Sequence, residues 1–83
     1  MTLEVRYFAW LRERVGQSVE HVETEAATVQ DLVEELRAKD DGHAAAFADM
    51  KAVRVALDQE LGEFTDKLVG VREVAFFPPM TGG

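Results

Sequence analysis

Thr28-Val29-Gln30-Asp31-Leu32-Val33-Glu34-Glu35-Leu36-Arg37-Ala38-Lys39 decides how the rest of this 83-residue chain is read. Val29, Leu32, Val33 and Leu36 fall at i, i+3, i+4 and i+7, the spacing that gathers apolar side chains on one face of an α-helix. Gln30, Glu34, Glu35 and Lys39 take the solvated face. The Thr28 hydroxyl is placed to cap the free amides of the first turn, and Asp31, three residues on, makes an incomplete capping box. Asp40, Asp41 and Gly42 are expected to end the helix near Lys39. A helix with a single apolar face needs a second layer to bury it.

The flanking segments supply that layer as strands. Leu3, Val5 and Tyr7 alternate with Glu4, Arg6 and Phe8, the period of a half-buried strand with Phe8 on the polar side. A helical turn from Trp10 to Arg14, closed by Gly16, leads to a second strand over Ser18 to Glu23. After the main helix, Ala44, Phe47 and Met50 are spaced for a short helix, and Val53, Val55 and Leu57 alternate with Arg54, Ala56 and Asp58. Gly62 and Gly70 punctuate a loop-rich stretch, and Glu73 to Phe77 forms the last strand. The expected fold is α+β, with order ββαββ: a ubiquitin-like β-grasp roll whose mixed sheet is covered by one main helix. Residues 1–77 form the domain and residues 78–83 an extended tail.

Composition narrows the chemistry. The net charge is −7, with 9 Lys and Arg against 16 Asp and Glu, which argues against a binder of the nucleic-acid backbone. Basic or apolar partners are expected. With no cysteine there is no disulfide, thiolate metal site or thiol nucleophile. The longest apolar run, Tyr7 to Leu11, falls far short of the roughly 18 residues of a membrane span. The chain is read as cytoplasmic, without membrane attachment. His21 and His43 have no ligand-type spacing and are read as surface histidines, so no metal is expected. Asp40-Asp41 and Glu34-Glu35 are read as solvated charges, Trp10 as packing, and Thr81 and Ser18 lack a base that would make them nucleophiles.

The end of the chain is different in kind. Pro78-Pro79 has no amide hydrogens for a sheet ladder, so the strand must stop there and the chain leave extended. Residues 78–83 reach at most roughly 20 Å, enough to enter a neighbouring protein's pocket. Gly82-Gly83 presents bare backbone able to pass a narrow channel. The terminal carboxylate is the expected reactive group. Its pKa near 3.3–3.7 leaves it ionised and inert, so acyl chemistry requires activation by another protein.

The run Glu73-Val74-Ala75-Phe76-Phe77-Pro78-Pro79-Met80-Thr81-Gly82-Gly83, with Val5-Arg6-Tyr7-Phe8-Ala9, Leu11-Arg12-Glu13 and Gly16, closely resembles the small subunits of molybdopterin synthase. The resemblance implies a sulfur carrier. Its Gly83 carboxylate would be adenylated by an ATP-dependent activating enzyme, loaded by a sulfurtransferase as a thiocarboxylate, and inserted into the large synthase subunit of a two-plus-two heterotetramer. There it would donate sulfur to cyclic pyranopterin monophosphate, making the molybdopterin dithiolene. Catalytic side chains would belong mostly to the partner, and no cofactor would be bound by this chain, ATP being used by the activating enzyme.

Gly83 and Gly82 are then the reactive end, and Pro78, Pro79, Met80 and Thr81 the arm. Phe8 and Phe77, if the first and last strands are neighbours, form an apolar patch beside the tail exit; the opposite strand phase would bury both instead. Leu61 matches a family position on the same contact surface, and Arg12 is a weaker candidate for partner contact. Leu57-Asp58 and Gly70-Val71-Arg72-Glu73 depart from the family's usual Val-Asn and acidic Gly-Asp-Glu sequences. The same tail chemistry would serve a carrier for thiamine, cysteine or tRNA thiolation, or a protein modifier joined to lysines.

Overall fold

The computed structural model describes residues 1–79; Met80, Thr81, Gly82 and Gly83 lie outside the described residues. The elements are β1 (Thr2–Tyr7), α1 (Trp10–Val15), β2 (Val19–Glu23), α2 (Val29–Arg37), α3 (Asp41–Ala46), a 3₁₀ turn (Met50–Ala52), β3 (Arg54–Leu57), β4 (Glu60–Gly62) and β5 (Glu73–Phe77). The strands form one sheet in the order β2-β1-β5-β3-β4. β1 and β5 run parallel at its centre, and the other pairs are antiparallel. This is the expected α+β roll, with one strand more than ββαββ. Asp58 and Gln59 both take positive φ, closing a two-residue turn that folds Glu60–Gly62 back on β3. The sequence there has neither Gly nor Asn to announce such a turn.

α2 starts where its sequence says it should. The Thr28 hydroxyl accepts the Asp31 amide at 3.2 Å, and Val29, Leu32, Val33 and Leu36 are buried. They pack against Leu3, Val5 and Tyr7 of β1, Val55 of β3, and Val74 and Phe76 of β5 in one core. Each such side chain, fully buried, contributes roughly 1.5–3 kcal/mol. The stretch between β4 and β5 is tied to the start of α2: Val29 and Gln30 amides donate to the Asp66 and Phe64 carbonyls, and the Leu68 amide donates to Ala27.

The residues expected only to end α2 begin α3 instead. Asp40 caps it, accepting the His43 amide at 2.8 Å. Gly42 sits inside α3 because a β-carbon there would stand 2.5 Å from the Arg14 carbonyl oxygen of α1. Starting α3 at this point also turns His43 inward, where it is 1% exposed, so the surface reading of this histidine is corrected. His21 does lie at the surface, 3.7 Å from Glu4.

His43 meets a second residue that alternation alone misplaces. Glu20 on β2 pairs with buried Val5 and faces the core, 7% exposed. One of its oxygens accepts the Tyr7 hydroxyl at 2.6 Å and lies 2.6 Å from His43 Nε2; the other accepts Lys39 Nζ at 2.6 Å. His43 Nδ1 lies 2.7 Å from Asp40. Burial pushes the Glu20 carboxyl up, but hydrogen bonds from His43, Lys39 and Tyr7 together outweigh it and hold it below the usual range. The His43 backbone amide, then its ring, hold Asp40 low, while burial and the bond to Glu20 push the Tyr7 hydroxyl up.

Two tests follow from this packing. Gly42→Ala should separate α3 from α1 and lower stability by about 1–3 kcal/mol in chemical denaturation. Because Glu20 and Asp40 titrate lower folded than unfolded, the unfolded chain binds more protons on acidification. Their contribution is present above the unfolded carboxylate pKa of about 4 and is lost as pH falls through the folded values. Glu20→Gln should destabilise the protein at neutral pH and flatten that acid limb, read from urea midpoints between about pH 6 and 2.

Candidate partner-binding site

The site grows from the parallel pairing of β1 and β5. Tyr7 stands opposite Phe76, and the Phe8 amide donates to the Phe76 carbonyl at 3.1 Å. The next residues, Phe8 and Phe77, therefore emerge at the same end of the sheet, while Tyr7 and Phe76 turn into the core. Phe8 is 48% exposed and Phe77 half-buried, which settles the strand phase in favour of a surface patch.

Beside them lies an open groove of about 470 Å³ lined by Phe8, Ala56, Gln59, Glu73, Ala75, Phe77, Pro78 and Pro79. Ala56 and Ala75 face each other across β3 and β5, and their short side chains keep the floor low between larger neighbours. The lining is apolar except for Gln59 and Glu73. Glu73 is engaged by Arg6 Nε at 3.3 Å, and Arg6 also pairs with Glu4 at 2.7 Å, so the sheet face next to the groove is a set of mutually satisfied charges.

Of the residues singled out from sequence, Phe8, Phe77, Pro78 and Pro79 come together here. Leu61, 77% exposed, stands across from Ala56 on β4 and so flanks the groove; its own side chain lines a second hollow with Met50, Arg54 and Phe64. Arg12 is exposed on α1 and does not line the groove. Met80, Thr81, Gly82 and Gly83 lie outside the described residues. Ala56, Ala75, Gln59 and Glu73 were not foreseen as site residues. The alternation of β3 and β5 already put the two alanines and Glu73 on the face of Phe77; Gln59 gave no such signal.

Backbone strain gathers around the groove. Ala9, directly after Phe8, has φ 55° and ψ −134°, a region nearly reserved for glycine, and Asp58 and Gln59 have φ of 50° and 71°. Asp58 is compensated: its carboxylate accepts the Arg72 and Glu73 amides at 3.0 and 2.9 Å, fixing the entry to β5. The Asp that departs from the resembled pattern thus supplies a contact of its own.

The model of the ThiS family matches residues 5–83, almost the whole length. The chain belongs to the ThiS family. It is similar to the molybdopterin synthase sulfur carrier subunit of Escherichia coli, with 40% identity over 81 residues covering 98% of this chain and 99% of the relative. The Haemophilus influenzae protein of the same name is 37% identical over 81 residues with the same coverage. Among solved structures, SAMP1 from Haloferax volcanii superposes with a TM-score of 0.75 at 25% identity, covering 100% of both chains. These matches place the ThiS-family chain in the β-grasp fold. No helix among the described residues is long and apolar enough to cross a membrane.

Ala9→Gly should relieve strain at the groove's edge of roughly 1–3 kcal/mol, against about 0.5–1 kcal/mol of added glycine entropy. The expected result is a net gain of about 1 kcal/mol, measured as a raised urea midpoint with unchanged m-value.

Proposed function

We propose that this chain is the sulfur carrier subunit of molybdopterin synthase and that it works through the Gly83 carboxylate. The observation that carries the reading is the 40% identity, along 98% of the chain, to a protein of that name. The groove adds physical support. Pro78 and Pro79 leave β5 along an apolar surface, so a partner gripping Phe8, Phe77 and Leu61 would receive the arm at the same place.

The chemistry is group transfer at one atom. An activating enzyme joins the Gly83 carboxylate to the α-phosphate of ATP, releasing pyrophosphate. A persulfide supplied by a sulfurtransferase then displaces AMP to give an acyl disulfide, and a thiol attacks the sulfurtransferase sulfur of that bond, forming a new disulfide with it and releasing the thiocarboxylate. In the large synthase subunit the sulfur passes to the pterin precursor, and water restores the carboxylate. This chain supplies the acyl terminus and the surface that presents it; the residues acting on the pterin are the partner's.

The reading requires Gly83 to end the working chain. Incubation with activating enzyme, ATP and a sulfur source should replace one oxygen by sulfur, seen as a mass increase of the intact protein. Deleting Gly83 should abolish that increase and molybdopterin formation while leaving the thermal midpoint unchanged. Sulfur transfer by the truncated chain would overturn the reading.

A further inference from the structure

Pro78 and Pro79 follow the last residue of β5, yet both are half-buried and both line the groove beside Phe8 and Phe77. The chain therefore leaves the sheet along the wall of the groove instead of projecting from the body. Each proline fixes its own φ, so the direction of departure is set before the next residue begins. That residue is Met80, which lies outside the described residues. Beside its starting point Phe8 is 48% exposed, and Ala56 and Ala75 keep the floor low in a hollow of about 470 Å³. Of Met80, Thr81, Gly82 and Gly83, Met80 alone has a large apolar side chain.

We propose that the groove is a docking site for the chain's own Met80, whose side chain covers Phe8 and Phe77 in the free protein. An unbranched thioether adapts to an irregular hollow and makes favourable contacts with aromatic rings. Only one residue has to be ordered to place it there, because Pro79 already stands at the wall. The gain from burying one such side chain is comparable with the cost of ordering one residue, so the contact forms without being tight. A partner that covers the same aromatic pair with a larger surface displaces it. For the carrier proposed above, Met80 is then an autoinhibitory contact: seated, it draws the arm along its own body, and docking on Phe8 and Phe77 releases the arm. That consequence rests on the proposed function, whereas the seating of Met80 does not.

The chain has three methionines, Met1, Met50 and Met80, so substitution assigns every methionine methyl signal. In the free full chain, labelled with carbon-13 at those methyls, Met80 should show nuclear Overhauser contacts to the rings of Phe8 and Phe77 and a ring-current shift, both unchanged on dilution. Phe8→Ser, at a position already exposed, should abolish the Met80 contact to residue 8 and move its methyl toward the position found in a short peptide of the same sequence, while Met50 stays in place. A Met80 methyl at the peptide position, without contact to either ring, would overturn the proposal. Contacts that vanish on dilution would assign the groove to a second copy of the chain and overturn it equally. Adding the purified large subunit should remove the contact between Met80 and Phe8; binding that leaves it in place would overturn the autoinhibitory role. Failure of the large subunit to bind at all, with the contacts present in the free chain, would overturn the proposed function and leave the seated Met80 standing.

Discussion

The parallel pairing of β1 with β5 is the constraint on which the other features depend. Parallel strands cannot be joined by a tight turn, so everything from Phe8 to Arg72 is in effect one long crossover that must be packed against the pair. Its register, Tyr7 opposite Phe76, stacks two aromatic rings in the core with centroids 6.2 Å apart, and Phe47 closes on Phe76 edge-on at 4.9 Å. The same register sends Phe8 and Phe77 outward at one end of the sheet. A one-residue slip would reverse both pairs together, burying the docking residues and exposing Tyr7 and Phe76. The core and the exposed aromatic patch are thus two consequences of one alignment.

That alignment is reinforced by an ionic cluster that hydrophobic reasoning alone would not place. Glu20, His43, Asp40, Lys39 and Tyr7 come from β2, α3 and its cap, the end of α2, and β1. Replacing a whole buried charged set by apolar residues is often neutral or stabilising, whereas removing one member strands the others. The cluster therefore works less as a source of net stability than as a condition on assembly, since its polar groups are satisfied together when these elements meet. Tyr7 belongs both to this cluster and to the aromatic stack, so the cluster bears on the strand that ends at Tyr7, next to Phe8.

What the sequence disclosed follows from which signals are local. Periodicity located α2 and the strands β1, β3 and β5 because each has several apolar residues at regular spacing, and Thr28 marked the helix start through one side-chain bond. The prolines after Phe77 marked the end of the sheet. β4 escaped notice because it is three residues long and its turn uses Asp58-Gln59, residues that enter left-handed backbone at a cost. The burial of His43 and Glu20 went unread for a related reason. A charged residue in an alternating pattern is assigned to solvent, and the partners that make its burial tolerable lie 23 residues away in sequence. At the site, the aromatic pair was legible from phase and motif, and the alanine floor was implicit in the same phase. That Gln59 lines the groove goes with a left-handed backbone angle that no residue pattern displayed.

Where backbone strain falls among the described residues bears on the proposed function. Strained, non-glycine backbone at the groove is tolerable because the surrounding core over-determines it, and a surface held in place by its core loses little freedom when a partner covers it. The sequence beyond Pro79 has the opposite character, ending in two glycines that are the least restricted residues available. Under the proposed function, a rigid groove would let binding energy come from Phe8, Phe77 and their neighbours without an ordering cost in the body. Two glycines ahead of the carboxylate would let it follow the shape of the active site that receives it. For the carrier proposed above, successive encounters with an activating enzyme and a synthase would favour this arrangement, because both would grip the same body while presenting the terminus to different chemistry.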